Sequence, residues 1–209
     1  MTGPRVEIVD LKKLHKPLFT APAGEFAPID VPELHFLMVD GHGDPNCAPE
    51  YSQALQWLYS VAYGIKFTLK PSGRTFVVPP LEGLWHADDP ASFVARRKSE
   101  WNWTMMIMMP DFVGGDLFET AVAKARKKLG DPPPSLRLQL YREGPSLQAL
   151  HIGPYDAEGP LLARLHDGIM PAKGLTFAGH HHEIYLSDPR RTAPEKLRTI
   201  LRQPVTPRS

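Results

Sequence analysis

Cysteine is all but missing from this 209-residue chain: Cys47 stands alone. No disulfide can form within the chain, and a reducing compartment is the natural expectation. Net charge is scarce too, with 24 basic residues against 23 acidic ones and a balance of +1. So small a field collects neither nucleic acid nor an anionic membrane surface, and no nucleic-acid partner is expected. No apolar run is long enough to span a bilayer, so no membrane partner is expected either. Near the start, Arg5, Glu7 and Asp10 stand where an export signal would carry its apolar stretch. A cytoplasmic location follows as the expectation. Ligand spacings for a metal are missing as well: of His180, His181 and His182, only the first and third share a strand face. No metal or cofactor is called for. Two motifs fall short in the same way. Gly41-His42-Gly43 lacks the third glycine of a dinucleotide loop, and Ser187-Asp188 lacks a nucleophile elbow.

What the chain does have is a core's worth of apolar residues, 42%, and an abundance of proline, 23 residues. The prolines fall in short groups such as Pro79-Pro80 and Pro132-Pro133-Pro134, which punctuate many brief elements. Residues 1–30 read as a wrapping arm with one helical turn at 11–15. Residues 34–39 read as a buried strand. Pro49 opens a helix whose apolar face is Tyr51, Ala54, Leu55, Leu58, Ala62 and Ile65. Strands follow at 74–78 and 81–85. Residues 101–109 are apolar on both faces, which places that strand centrally. Asp116 with Glu119 reads as a capping box opening a helix that Gly130 stops. Residues 136–142 and 147–152 read as a hairpin about Glu143-Gly144-Pro145. Leu161, Leu162, Leu165 and Ile169 mark another helix, residues 181–186 the last strand, and Thr192 with Glu195 a short C-terminal helix through Leu197, Ile200 and Leu201.

Phe36-Leu37-Met38-Val39-Asp40-Gly41 leads through a turn into a helix, and Leu147 to Pro154 does the same. This echo predicts an α+β fold of two tandem strand–helix–strand–strand modules, at about 31–110 and 111–209, within one domain spanning 31–209. They would join into one curved antiparallel sheet with helices on one face and a ligand cleft between the units.

Candidate chemistry concentrates at His180-His181-His182-Glu183-Ile184-Tyr185-Leu186. Alternation turns His181, Glu183 and Tyr185 to one face, so a carboxylate and a phenol look into the same space. An apolar cavity would raise that carboxyl group's proton affinity and fit it for acid–base work or for holding a cation. The plainer reading pairs Glu183 with an arginine. Trp85, Trp101 and Trp103 cluster mid-chain, with the last two on one strand face; they suit a ring-walled pocket or simple core packing. Trp57 reads as core. Met105 begins a soft, adaptable run that fits either role.

The segments Asp40-Gly41-His42-Gly43-Asp44-Pro45-Asn46, Pro80-Leu81-Glu82-Gly83-Leu84-Trp85, Trp101-Asn102-Trp103-Thr104-Met105, His151-Ile152-Gly153-Pro154-Tyr155 and His182-Glu183-Ile184-Tyr185-Leu186-Ser187-Asp188-Pro189 resemble the GyrI-like proteins. More narrowly, they resemble the stand-alone branch that includes cyclopropanoid cyclopropyl hydrolases. The resemblance implies a central cleft lined by aromatics with a glutamate at its floor, onto which Glu183 falls. It implies catalytic roles for Glu183 and Tyr155, and ligand contacts from Trp85, Trp101, Trp103, Tyr185 and Met105. The implied ligand is a planar hydrophobic small molecule. The implied reaction is water addition to a cyclopropane in DNA-alkylating compounds. Non-catalytic sequestration of planar drugs is the alternative, and binding to a protein such as a topoisomerase a third. No DNA-binding helix-turn-helix precedes the module, in contrast to transcription-factor relatives.

Overall fold

A computed structural model describes residues 6–89 and 91–208, so the first five residues of the expected arm lie outside the described residues. β1 (Glu7–Asp10) runs into one helical turn, α1 (Leu11–Leu14), where the Asp10 carboxylate accepts from the Lys13 amide. β2 (Ala27–His42) leads to α2 (Pro49–Leu69), with Pro49 in the first turn, where its missing N–H costs nothing. β3 (Arg74–Val77) pairs in parallel with β1, and β4 (Leu81–His86) follows. A short excursion containing α3 (Ala91–Val94) precedes β5 (Asn102–Met109). α4 (Gly115–Leu129) ends at Gly130, whose φ of 81° suits glycine. β6 (Arg137–Ile152) leads to α5 (Gly159–Ala163), a π-helical turn at Arg164–Ile169, and α6 (Met170–Ala172). Pro171 has no amide to offer the preceding turn, which accords with the widened geometry there. β7 (Leu175–Phe177), β8 (His181–Tyr185) and β9 (Arg198–Pro207) complete the chain.

β2, α2, β4 and β5 make one strand–helix–strand–strand module, and β6, the α5–α6 stretch, β8 and β9 the other. Their strands run in the order β6-β2-β5-β4-β8-β9, all antiparallel, with β5 central as its two apolar faces require. β6 also pairs with β9, so the curved sheet closes on itself as a barrel. No described helix is long and apolar enough to cross a membrane.

Two elements and two helix caps differ from the sequence reading. The hairpin at 136–152 is one continuous strand, because Gly144 takes φ 75° and bends the strand without reversing it. Residues 198–207 form a strand, not a helix. Its polar residues Arg202 and Gln203 are both buried and hydrogen-bonded inside. The two capping boxes do not form: Gly114 and Ala193 occupy the caps, and neither is closed by a side chain.

Alternation splits the core in two. Leu37, Val39, Trp103, Met105 and Ile107 face α2, where Trp57, Leu58, Val61 and Ile65 meet them with no exposure. Each such fully buried side chain contributes about 1.5–3 kcal/mol. Gly41 is required here. A Cβ would lie 2.0 Å from the Trp103 ring, so the indole packs flat over bare backbone. The opposite face, Phe36, Met38, Met106, Met108, Ile184 and Ile200, turns into the barrel and is covered by Leu11, Leu18 and Phe19.

Within that inner face lies a buried charge network. His182 Nδ1 stands 3.0 Å from Glu143 and its Nε2 3.0 Å from Glu82. The Arg202 guanidinium donates to Glu143 at 3.0 Å, to Gln148 at 3.0 Å and to the Leu18 carbonyl at 2.7 Å. With His182 protonated, two cations balance two carboxylates. Burial alone would raise the Glu143 carboxyl, but His182 and Arg202 overrule it and hold it below its ordinary 4.5. Burial opposes a charge on His182, but Glu143 and Glu82 raise it above its ordinary 6.5. The signs fix a pH dependence. The depressed Glu143 contributes stability above pH 4.5, lost as pH falls through its folded value. The raised His182 contributes fully below pH 6.5, lost as pH rises through its folded value. Melting temperature followed against pH is expected to peak between these limits and decline on the alkaline side. An alkaline limb that stays flat would show His182 to be neutral in the fold.

Candidate functional site

The outer face of β8 carries the acidic floor. Register sets Glu183 opposite Gly83 and His181 opposite Trp85, so all four share the face that looks toward α2. Gly83 has a reason: a Cβ there would come within 3.1 Å of both the Trp85 indole nitrogen and the Met105 sulfur. Without one, Trp85 folds over the strand and its Nε1 donates to the Tyr185 hydroxyl at 3.0 Å. That hydroxyl in turn donates to the Glu183 carboxylate.

Each module then supplies a phenol from the turn after its first strand. Tyr51, in the first turn of α2, stacks on Trp85 with centroids 6.3 Å apart. Tyr155, just beyond β6, meets Tyr185 edge-on at 5.7 Å. Trp101 closes on Trp85 edge-on at 5.9 Å and carries Phe93 against its other side at 5.0 Å. Rings from α2, β4, the approach to β5, and the loop after β6 therefore surround one carboxylate. Glu183 keeps 14% side-chain exposure, so it is neither solvated nor sealed.

A second carboxyl group lies beside it. Glu158, one turn beyond Tyr155, is buried; burial first, then the charge of Glu183, lifts its proton affinity well above the usual carboxylate range. Protonated Glu158 donates to Glu183, and its Oε1 is buried with no partner. Burial and the neighbouring charge thus favour the neutral form of Glu158 over its ionised form. The surrounding phenols stay protonated. Burial and then Glu183 raise Tyr155 to about 12 and push Tyr51 and Tyr185 up as well. The arrangement is a carboxylate ringed by phenol hydroxyls and flat apolar walls. His181 Nε2 approaches Glu183 to 3.4 Å.

Of the residues expected from sequence, the structure brings together Glu183, Tyr155, Tyr185, Trp85 and Trp101. Trp103 and Met105 stand one layer back: they are 1% and 0% exposed, and Trp103 supports Tyr51 edge-on at 5.2 Å. Tyr51 and Glu158 escaped the sequence reading. Tyr51 was absorbed into the apolar face of α2. Glu158 carried one available signal, its position three residues after Tyr155 in a tight turn. His180 and His182 do not meet: His180 stacks on His86 at 4.1 Å, while His182 lies in the inner network. No group of three or more His, Cys, Asp or Glu side chains among the described residues is placed to hold a metal ion.

A barrel of two such modules with an acidic, ring-walled site is a small-molecule-binding domain. The chain belongs to the GyrI-like family: the GyrI-like small molecule binding domain matches residues 25–206. Three solved structures from Listeria innocua are similar. One is an uncharacterized conserved protein, 40% identical with TM-score 0.86, covering 95% of this chain and 100% of its own. One is a hydrolase, 41% identical with TM-score 0.79 and the same coverage. The third, also described as a hydrolase, is 40% identical with TM-score 0.83, covering 96% and 100%. A search of curated proteins finds no match.

Proposed function

We propose that the protein binds flat hydrophobic xenobiotics between its aromatic walls and hydrolyses cyclopropane-containing alkylating compounds. The observation that supports this most is the Glu183 carboxylate, 14% exposed, set among Tyr51, Trp85, Trp101, Tyr155 and Tyr185 with the buried Glu158 beside it. The hydrolase description of relatives near 40% identity fits the same reading. In a cyclopropane fused to a dienone, water oxygen bonds to the ring carbon as the strained C–C bond breaks. The freed electron pair flows to the dienone oxygen and leaves an aromatic phenolate. Glu183 takes the proton from the attacking water, at hydrogen-bond reach of about 3 Å. Tyr155 donates a hydrogen bond to the developing oxyanion. The phenolate takes a proton from solvent on release, and Glu183 returns its own to solvent, so the balance closes. Glu158 donates to Glu183 and orients its carboxylate toward the water. Holding the flat substrate between rings supplies the proximity that a modest base needs.

The test is incubation with a cyclopropane-bearing alkylator, with product followed by mass. Opened product beyond one equivalent of protein supports hydrolysis. Tight binding with no product leaves a sequestering protein instead, and product stopping at one equivalent indicates covalent capture.

A further inference from the structure

We infer that Asp156 is a latch over the site, tying the β4–β5 excursion of the first module to the Tyr155–Glu158 turn of the second. The inference rests on the reading of the Glu183 site as the ligand site. Residues 91–101 form a small braced unit. Arg97 holds Asp89 at 2.7 Å and Glu100 at 2.8 Å, its amide donates to the Ser92 carbonyl at 2.8 Å, and the Trp101 indole donates to the same carbonyl at 3.4 Å. This unit carries two of the site's rings, Phe93 and Trp101. It reaches the other module through Asp156. Arg96 donates to both the carboxylate and, at 3.3 Å, the carbonyl of that residue, and Lys98 approaches the same carboxylate to 3.4 Å. Lys98 also lies 5.7 Å over the Trp101 ring, so one cation touches both the latch and the wall.

Two further features suit a gate. Asp156 sits between Tyr155 and Glu158, so the turn it anchors bears a ring and a carboxyl group of the site. Arg96 takes φ 54°, and it is the one non-glycine with positive φ among the described residues, a conformation that needs outside contacts to hold it. The latch charges are exposed, 69% for Asp156 and 47% for Arg96. Exposed pairs are weak and salt-sensitive, which lets the unit open and close around a ligand.

The experiment uses the full chain and N-phenyl-1-naphthylamine, a neutral planar fluorescent probe, in stopped flow. Asp156→Asn is expected to raise its association and dissociation rates together, each by about three- to tenfold, with little change in Kd. Added salt should speed exchange in the native protein and leave the variant unmoved. Exchanging the charges, Asp156→Arg with Arg96→Asp and Lys98→Asp, should restore slow exchange. A change in Kd with no matched change in rates would overturn the latch, as would unaltered rates. Hydrogen exchange at residues 92–100 reads the same contact without ligand. If the probe does not bind, the site reading fails, and the latch stands or falls on faster exchange there in Asp156→Asn.

Discussion

Glu183→Gln is expected to lower turnover of a cyclopropane-bearing substrate by about 10²- to 10⁴-fold, the span of a lost general base. Affinity for the intact compound should change only a few-fold, because the walls of Tyr51, Trp85, Trp101 and Tyr155 are untouched. The amide is close in size to the carboxylate and still accepts from Tyr185, so folding is not the variable. What disappears is the negative charge that the proposed reaction uses as its proton acceptor. Steady-state kinetics beside equilibrium binding separates these effects. If turnover persists in the variant, Glu183 is not the base, and the strain of the substrate with a solvent proton acceptor accounts for the reaction.

The second large effect concerns stability. Arg202→Met removes one of two cations from a cluster in which Glu82, Glu143 and His182 are all buried. Breaking one side of such a network costs about 3–5 kcal/mol, because the remaining charge has no water to turn to. In a chain of this length that lowers Tm by about 6–20 °C. The loss also releases the Leu18 carbonyl, so the N-terminal cover of the barrel loosens with it. Arg190→Ala, which breaks an exposed contact with Asp188, should leave Tm nearly unmoved and serves as the control. A drop for Arg202→Met no larger than the control's would mean that the network adds little and that apolar packing alone carries the barrel.

The outer architecture was legible because periodicity there reports burial directly. The two-faced apolar run of β5, the α2 stripe and the His181/Glu183/Tyr185 alternation each have one physical explanation, and each appears where expected. Polar residues with inward duties misled. Glu143 read as a turn residue and the segment before Arg202 as a helix, yet the two side chains are hydrogen-bonded inside the barrel, where 137–152 is one strand and 198–207 another. Barrel closure was hidden for the same reason, since it depends on β6 meeting β9 across 54 residues of separation, as in Gln148 with Arg202. The site divided along similar lines. Glu183 and Tyr185 follow from local alternation, whereas Glu158 reaches them only because the turn after β6 folds back over β8. Trp103 carries the same sequence signal as Trp101, but Gly41 gives it a bed in the core.

The carboxyl pair is tested most directly by infrared difference spectroscopy at neutral pH, comparing the native protein with Glu158→Gln. A protonated-carboxyl stretch is expected in the native spectrum, to persist in Glu143→Gln and to vanish in Glu158→Gln. A native spectrum without that band, or one in which it survives loss of Glu158, would mean that Glu158 is ionised beside Glu183, and the proposed orientation of the base by a protonated partner would be wrong.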